Sequence, residues 1–422
     1  MTRTLAEWLS YQESVHTVGI DMGLDRVGAV WRAMGSPRPA PIVITVGGTN
    51  GKGSTVALLE AMLGEAGYRV GCYTSPHLIH YNERIRLLGE DASDEALVAS
   101  FERIEEARGA IPQTYFEFGT LAAIDLMSRA SLDVAILEVG LGGRLDAVNI
   151  VDADAVAITT IDLDHQDWLG NDRDSIGREK AGIARADRPA IVGEDAPPAG
   201  LLDALRDIGA QVKRAGQDFS VQMLGDDGWR WSHRDGTVHD LPRPALDAPV
   251  QFANAATAIA VLHALRDRLS LSSAAIADAL RRVRVSGRLQ RIGERPLTLV
   301  DVGHNPQAAR ALAEWLDAER PKGRVFAVYG ALSDKDTAGV IAALGTRVAR
   351  WYLAALDRDT PRGLGEGALM ASLSATLPDA EAEAFPSVDS AWAAARDAAS
   401  EDDTVLVFGS FFVASAALSS GK

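Results

Sequence analysis

The sequence predicts an α/β protein in two parts: a P-loop-containing, mostly parallel sheet domain followed by a smaller Rossmann-like α/β domain. Three observations predict it. Short β-branched runs alternate with amphipathic segments along most of the 422 residues. A glycine-rich loop, GGTNGKGST (47–55), joins one such run to a helical pattern. The alternation starts afresh after GRLQRIGERP, so the boundary is placed at 290, with residues 1–290 and 291–422 as the two domains. A chain of this length exceeds one ordinary core.

Each element follows from its local pattern. PIVITV (41–46) reads as a buried strand, and STVALLEAMLGEAG (54–67) as a helix closed by glycine. LDVAILEVG (132–140), DAVAITTID (154–162) and PAIVG (189–193) are further continuous apolar runs. Strands buried on both faces and separated by helices imply a parallel sheet. Residues 211–245 alternate in character and carry Asp-Gly pairs, which predicts antiparallel strands or hairpins. Helical patterns follow at 254–267 and 273–283. In the second part, LTLVDVGHN, RVFAVYG, RWYLAAL and DTVLVFGS read as strands, and PQAARALAEWLDA as a helix with proline near its start.

Composition bounds the function. The 47% hydrophobic and 24% charged residues are ordinary for a globular chain, and no run is long and apolar enough to span a bilayer. No membrane partner is expected, and the N-terminal stretch has no apolar core of a signal peptide. The single cysteine, Cys72, allows no intrachain disulfide and fits a reducing cytoplasm. A net charge of −16 without a basic cluster argues against nucleic acid. A polyanion such as ATP must then be held locally, by backbone N–H groups, a few cations and metal ions.

The candidate chemistry lies where strands end. Gly51, Lys52, Gly53 and Ser54 sit at a strand-to-helix turn, where N–H groups, a helix N-terminus and one ammonium favour phosphate. Gly53 separates the lysine from the hydroxyls of Ser54 and Thr55, unlike the commoner phosphate loop. Glu138 ends an apolar strand. It reads either as a metal ligand beside the loop or as a buried carboxylate paired with an arginine. Asp162, Asp164, His165 and Asp167 follow another strand and suit a divalent cation. Lys180, before an apolar turn, has the pattern of a snorkelling surface lysine. In the second part, Asp301-Val-Gly-His304-Asn305 precedes a helix, and Ser333 to Asp336 end a strand. Rims of this kind on two domains suggest a cleft that closes over substrates.

Together these segments resemble the folylpolyglutamate synthase/dihydrofolate synthase family of the Mur ligase superfamily, over nearly the whole chain. The resemblance is carried by DMGLDRV (21–27), GGTNGKGST, TSPHL (74–78), NERI (82–85), TYFE (114–117), EVGLGGRLDAVN (138–149), DHQDWLG (164–170), EKAGI (179–183), FANAA (252–256), GRLQ (287–290) and DVGHNP (301–306). The interposed Gly53 is itself a family feature. DVGHNP stands where DGAHNP is more usual, a departure at Val302-Gly303 that keeps Asp301 and His304.

The resemblance implies an ATP-dependent amide ligase, with a Mur ligase-like central domain first. ATP phosphorylates a pteroate or folate carboxylate, and the amine of L-glutamate displaces phosphate. It implies ATP contacts at Asn50, Gly51, Lys52, Gly53, Ser54, Thr55, Asn254, Arg288, Asp301 and His304. It implies two Mg²⁺ ions held by Ser54, Ser75, Glu138 and His165, and a carbamylated Lys180. Lys52, Glu138, His165 and Lys180 are the catalytic set. Asp21, Met22, Gly23, Leu24, Thr114, Tyr115, Phe116, Glu117, Leu145, Asp146 and Ala147 are expected at the pterin. Dihydropteroate, tetrahydrofolates and glutamate are the expected partners of a monomer. A Mur-type ligase acting on a different carboxylate is the alternative. A P-loop kinase leaves the second domain unexplained, and a cell-wall ligase leaves the GKGS loop unexplained.

Overall fold

Continuous apolar runs become strands buried on both faces, and they set the architecture. The computed structural model describes residues 3–16, 21–225, 228–319 and 321–420. The chain divides into two compact units: Met1–Ala245 with Phe252–Val283, and Leu246–Gln251 with Arg284–Lys422. Among the described residues, no helix is long and apolar enough to cross a membrane.

The first unit is built on β1 (Ile42–Gly47), β2 (Val70–Tyr73), β3 (Ile85–Leu87), β4 (Glu90–Asp91), β5 (Val134–Glu138), β6 (Ala155–Ile158), β7 (Pro189–Val192) and β8 (Gln211–Arg214). They form one eight-stranded sheet in the order β4-β3-β2-β5-β1-β6-β7-β8. Six strands run parallel; β3 and β4 turn back as an antiparallel edge. β1, β5 and β6 are buried at every residue. Register places Val46 beside Glu138, Gly47 beside Ile158, and Tyr73 beside Leu137. The loops leaving β1, β2, β5 and β6 therefore open on one edge of the sheet.

The 211–245 stretch differs from the antiparallel reading in one respect. β8 pairs parallel to β7 and extends the main sheet. It is an edge strand and half-solvated, so it lacks the continuous apolar run that marks interior parallel strands. The rest, β9 (Phe219–Met223), β10 (Gly228–His233) and β11 (Val238–Pro242), forms a separate antiparallel sheet. Its β10–β11 turn contains Asp235-Gly236, with Gly236 at φ +94°. The other Asp-Gly pair, at 227–228, lies partly outside the described residues.

The second unit contains β12 (Gln290–Glu294), β13 (Leu297–Asp301), β14 (Val325–Tyr329), β15 (Arg350–Ala354), β16 (Ala382–Phe385) and β17 (Thr404–Phe408). Their order is β12-β13-β17-β14-β15-β16, and only β12 is antiparallel. The helix Pro306–Glu319 packs Leu312, Ala313, Trp315 and Leu316 into this unit's core.

One buried carboxylate pins the base of the first sheet. Asp154, just before β6, accepts the Val43 N–H at 2.9 Å, Arg38 at 2.7 Å and Arg268 at 2.6 Å. Burial acts to raise its pKa, but the Val43 N–H and the Arg268 guanidinium outweigh it and hold the group below its ordinary value. A depressed carboxylate stabilises the fold above its unfolded pKa and loses that contribution as pH falls through the folded one. Asp154→Ala is expected to cost about 2–3 kcal/mol at neutral pH, in the range of charge-assisted hydrogen bonds. The partner arginines are partly exposed, which moderates the loss. Urea denaturation checks it, and the difference from wild type should shrink below pH about 4.

Candidate functional site

The loop after β1 is shaped by what it cannot accommodate. Gly48 adopts φ +141°, and a Cβ there would overlap the Thr159 Oγ1. Gly51 adopts φ +86°, and a Cβ there would overlap the Asn254 side chain. Glycine is the residue that allows both the turn and the close approach. The loop after β6 braces it from beneath. The Thr160 carbonyl accepts the Thr49 N–H at 2.7 Å, and Thr159 Oγ1 donates to the Asn50 carbonyl at 2.6 Å. Thr49 Oγ1 in turn exchanges hydrogen bonds with the backbone of Asp162. The helix Lys52–Glu65 then begins, with Gly51 as its N-cap. Ser54 and Thr55 are buried in its first turn, and Thr55 Oγ1 has no hydrogen-bond partner among the described residues.

Two lysines converge on one carbonyl of this loop. Lys52 Nζ donates to the Gly48 oxygen at 3.1 Å and to the Thr49 oxygen at 3.1 Å. Lys180 Nζ donates to the same Gly48 oxygen at 2.9 Å. Lys180 is only 5% exposed, so it is not the snorkelling surface lysine that its local pattern predicts. It lies near the end of the helix Arg173–Ala181, which docks against the loop after β5. The reason is backbone proximity at Gly143, where an added Cβ would meet the Glu179 oxygen at 2.9 Å and Lys180 Cα at 3.0 Å. Asn149 Nδ2 ties the two segments by donating to the Arg144 and Gly182 carbonyls. Burial, reinforced by the Lys52 charge, pushes the Lys180 pKa down to about 7, against the pull of Asp164 and Asp146. Asp146 shows the opposite response: burial lifts it to about 6, opposed by N–H groups of its own loop and by Lys52.

Oxygen and nitrogen donors suited to a divalent cation stand at the same edge. Glu138 ends β5, is 4% exposed, and accepts the Ser75 N–H at 3.2 Å. Ser75 leads out of β2. His165 is held at φ +51°, the left-handed region, as the N-cap of the short helix Gln166–Leu169. Its Nε2 lies 3.9 Å from Asp164 Oδ2. Non-glycine residues in that region are uncommon and gather at functional sites.

The segments expected at the pterin also meet. Arg26 donates to the Asp21 carbonyl at 2.8 Å, pairs with its carboxylate at 2.7 Å, and reaches Glu117 at 3.3 Å. Met22 and Leu169 approach Gly142, and Phe116 lies against Gly140. Leu145 and Ala147 flank Asp146, whose carboxylate accepts the Leu141 and Val148 N–H groups. Thr114 and Glu117 form a reciprocal capping box on the helix Tyr115–Arg129, so their polar atoms are already engaged. Tyr115 packs edge-on to Tyr81 and under Arg84. Gly23 and Leu24 lead into the helix Asp25–Ala33.

In the second unit, Asp301 ends β13 directly beside Phe408 of β17. It accepts the Gly303 N–H at 2.6 Å and the Leu289 N–H at 2.7 Å. Burial raises its pKa, opposed by Arg288. Arg288 lies 5.6 Å over the Phe411 ring, and His304 lies 6.3 Å from it. One aromatic ring thus supports both residues.

Known proteins match this architecture throughout. Residues 46–218 match the Mur ligase middle domain family, and residues 287–411 the Mur ligase glutamate ligase domain family. The chain is 48% identical to the Escherichia coli K12 dihydrofolate synthase/folylpolyglutamate synthase, covering 96% of this chain and 93% of that one. It is 41% identical to the Haemophilus influenzae protein of the same description, over 97% and 96%. The chain belongs to the dihydrofolate synthase/folylpolyglutamate synthase family. Two solved structures are similar along their full length. One is the E. coli FolC protein in complex with DHPP and ADP, at TM-score 0.93 and 47% identity, covering 99% of this chain and 97% of that one. The other is the Yersinia pestis bifunctional synthase with AMPPNP and Mn, at TM-score 0.90 and 46% identity, covering 99% and 98%. As a member of this synthase family, the chain is an ATP-dependent ligase.

Several supports of this synthase site escape a reading of the sequence. Thr159 and Thr160 look like ordinary strand-end residues, yet they brace the glycine loop. Arg26 lies within the DMGLDRV segment, but that pattern does not reveal that it joins two segments distant in sequence. Phe411 follows an apolar strand with nothing to mark it. Gly143→Ala is expected to destabilise the synthase by about 1–3 kcal/mol, as for overpacking elsewhere, and to move Lys180. Ligase activity should therefore fall by more than the folded fraction does, as measured by parallel activity and urea titrations.

Proposed function

We propose that this synthase joins L-glutamate to dihydropteroate and to reduced folates, spending ATP through an acyl phosphate. The observation that carries the reading is the gathering of the glycine loop, Lys52, Glu138 and Lys180 at one sheet edge, in a chain similar over its whole length to a protein solved with DHPP and ADP. A carboxylate resists nucleophilic attack because of its charge. Its oxygen attacks the γ-phosphorus, ADP leaves, and the acyl phosphate gains a good leaving group. The neutral amine of glutamate then attacks the acyl carbon. Phosphate departs with the amine's proton, and an amide remains.

The chain's own groups position and neutralise charge. The N–H groups of residues 51–54 and the Lys52 ammonium hold the phosphates, with Asn50 beside them. Asn254 contacts the nucleotide from beside Gly51. Arg288, Asp301 and His304 of the second unit are the further residues proposed to contact nucleotide. Ser54, Ser75, Glu138 and His165 have the donor chemistry to hold two Mg²⁺ ions. These supply charge neutralisation on the transferring phosphate. A related bifunctional synthase solved with Mn, AMPPNP and L-glutamate supports the divalent requirement. The stretches at 21–24, 114–117 and 145–147 form the pterin site, with Arg26 fixing the first to the second.

Lys180 is proposed to carry a carbamate. With a pKa near 7, much of the amine is neutral at physiological pH and can add CO₂. The resulting anion meets Lys52 across the Gly48 carbonyl, and the like-charge conflict of the unmodified pair is removed.

The discriminating experiment is ADP release with dihydropteroate plus L-glutamate, and separately with tetrahydrofolate plus L-glutamate, each with product detection. Both ligated products are expected. ADP release without ligation of either acceptor would sink the proposal in favour of a Mur-type ligase for another carboxylate. Lys52→Ala and Glu138→Ala should each reduce turnover by about 10²–10³-fold or more, as for loss of a transition-state charge partner. Lys180→Ala should be inactive and regain partial activity with short-chain carboxylic acids. Native mass spectrometry should show one CO₂ on the wild type and none on the variant. Full activity of Lys180→Ala without added acid would remove the carbamate from the mechanism.

A further inference from the structure

Away from the ligase edge, metal-type side chains gather on the small antiparallel sheet. His233 ends β10, Asp235 lies in the β10–β11 turn, and His263 sits in the last turn of the helix Val250–Ala264. One ligand atom from each lies within 4.8 Å of the others. His233 Nδ1 is 2.9 Å from Asp235 Oδ1, and His263 Nε2 is 2.9 Å from Asp235 Oδ2. The two imidazole rings are 4.4 Å apart between centroids. Both histidine side chains are about nine-tenths buried, while Asp235 is one-third exposed, which leaves a path from solvent. Trp231 forms the floor, with His263 at 5.4 Å, His239 at 5.6 Å and His233 at 6.0 Å. Three of the chain's eight histidines thus pack on one buried indole.

The hydrogen bonds within the cluster conflict. His233 Nδ1 takes only a long contact from the Asp235 backbone N–H, at 3.2 Å, and a carboxylate oxygen of the same residue faces it at 2.9 Å. His263 Nε2 takes Arg266 Nη1 at 2.6 Å and faces the other carboxylate oxygen as well. A ring nitrogen cannot accept from arginine and donate to aspartate at once. Acceptor lone pairs therefore converge, and the cation seated among them is the Arg266 guanidinium, 3.2 Å from Asp235 Oδ2. That side chain is 57% exposed and free to swing into solvent.

We propose that His233, Asp235 and His263 form a site for a first-row divalent transition metal of the zinc class, with Arg266 as a displaceable placeholder. Two imidazoles and one carboxylate suit zinc, cobalt or nickel rather than magnesium or calcium. Three protein ligands leave a fourth position open to water. The metal would bolt β10 to the helix that carries Asn254 against Gly51. The proposal is independent of the ligase reading, since none of its residues belongs to that site.

The test uses the full chain, stripped with a chelator, desalted, and titrated with Co²⁺ in excess Mg²⁺. One equivalent should produce the intense visible absorption of four-coordinate Co²⁺, and Zn²⁺ should abolish it. His263→Gln and Asp235→Asn should each remove that band while Mg²⁺-dependent ligase activity stays at wild-type level. Arg266→Gln should tighten apparent Co²⁺ binding on the order of tenfold, a size seen for groups adjoining metal ligands. Absence of the band in wild type, or its persistence in His263→Gln and Asp235→Asn, would overturn the proposal. If either ligand variant fails to fold, Arg266→Gln decides: unchanged or weaker Co²⁺ binding there counts against the site.

Discussion

Two ammonium groups share one carbonyl oxygen, and the rest of the first unit's chemistry depends on that contact. Lys52 and Lys180 both donate to Gly48; Lys180 is buried and Lys52 half-buried. Two full positive charges at that spacing repel strongly in a medium of low polarity. The conflict has three physical resolutions: a proton leaves, an anion enters, or one amine becomes an anion. The depressed Lys180 pKa is the first. Entry of an anion is the second, and the carbamate proposed for Lys180 would be the third. Each of these would relieve the repulsion between the two amines.

The parallel sheet makes this contact possible. Lys52 and Lys180 are far apart in sequence, and each reaches Gly48 from a different helix. The order β2-β5-β1-β6 brings four loops to one edge, and the register fixes their heights to within a residue. Glu138 stands beside Val46 for that reason alone. Close backbone approaches then set the fine geometry. Thr159 underlies Gly48, Asn254 covers Gly51, and the Lys180 backbone abuts Gly143. Each glycine is the place where one element has moved close enough to another that a methyl group cannot fit between them.

The phosphate loop and the interior strands were legible because their signals are local. A buried parallel strand needs an unbroken apolar run, and a strand-to-helix phosphate turn needs glycines and a lysine at fixed spacing. Lys180 was not legible from its neighbours, because its burial depends on a docking contact with residues 143–149. β8 was misread as antiparallel because edge strands lose the apolar run that identifies their interior neighbours. Phe411 could not be found by pattern, and the DMGLDRV pattern that contains Arg26 does not show what that side chain joins. Each acts by touching two residues that are distant in sequence or turned toward it by a loop. Thr114 and Glu117 of the TYFE motif also spell a capping box, and the structure forms it.

The acidity of the chain bears on how such a site is reached. With a net charge of −16, the long-range field opposes free ATP and favours divalent cations. A metal–nucleotide complex carries less negative charge than the free nucleotide and meets a smaller barrier. Within a few ångströms the sign reverses, because Lys52, the helix N-terminus and the loop N–H groups dominate at short range. Screening by physiological salt confines the unfavourable field to about 8 Å from the surface. The acidic exterior and the basic loop are thus compatible: the first discriminates among the species that approach, and the second acts only on those already in contact.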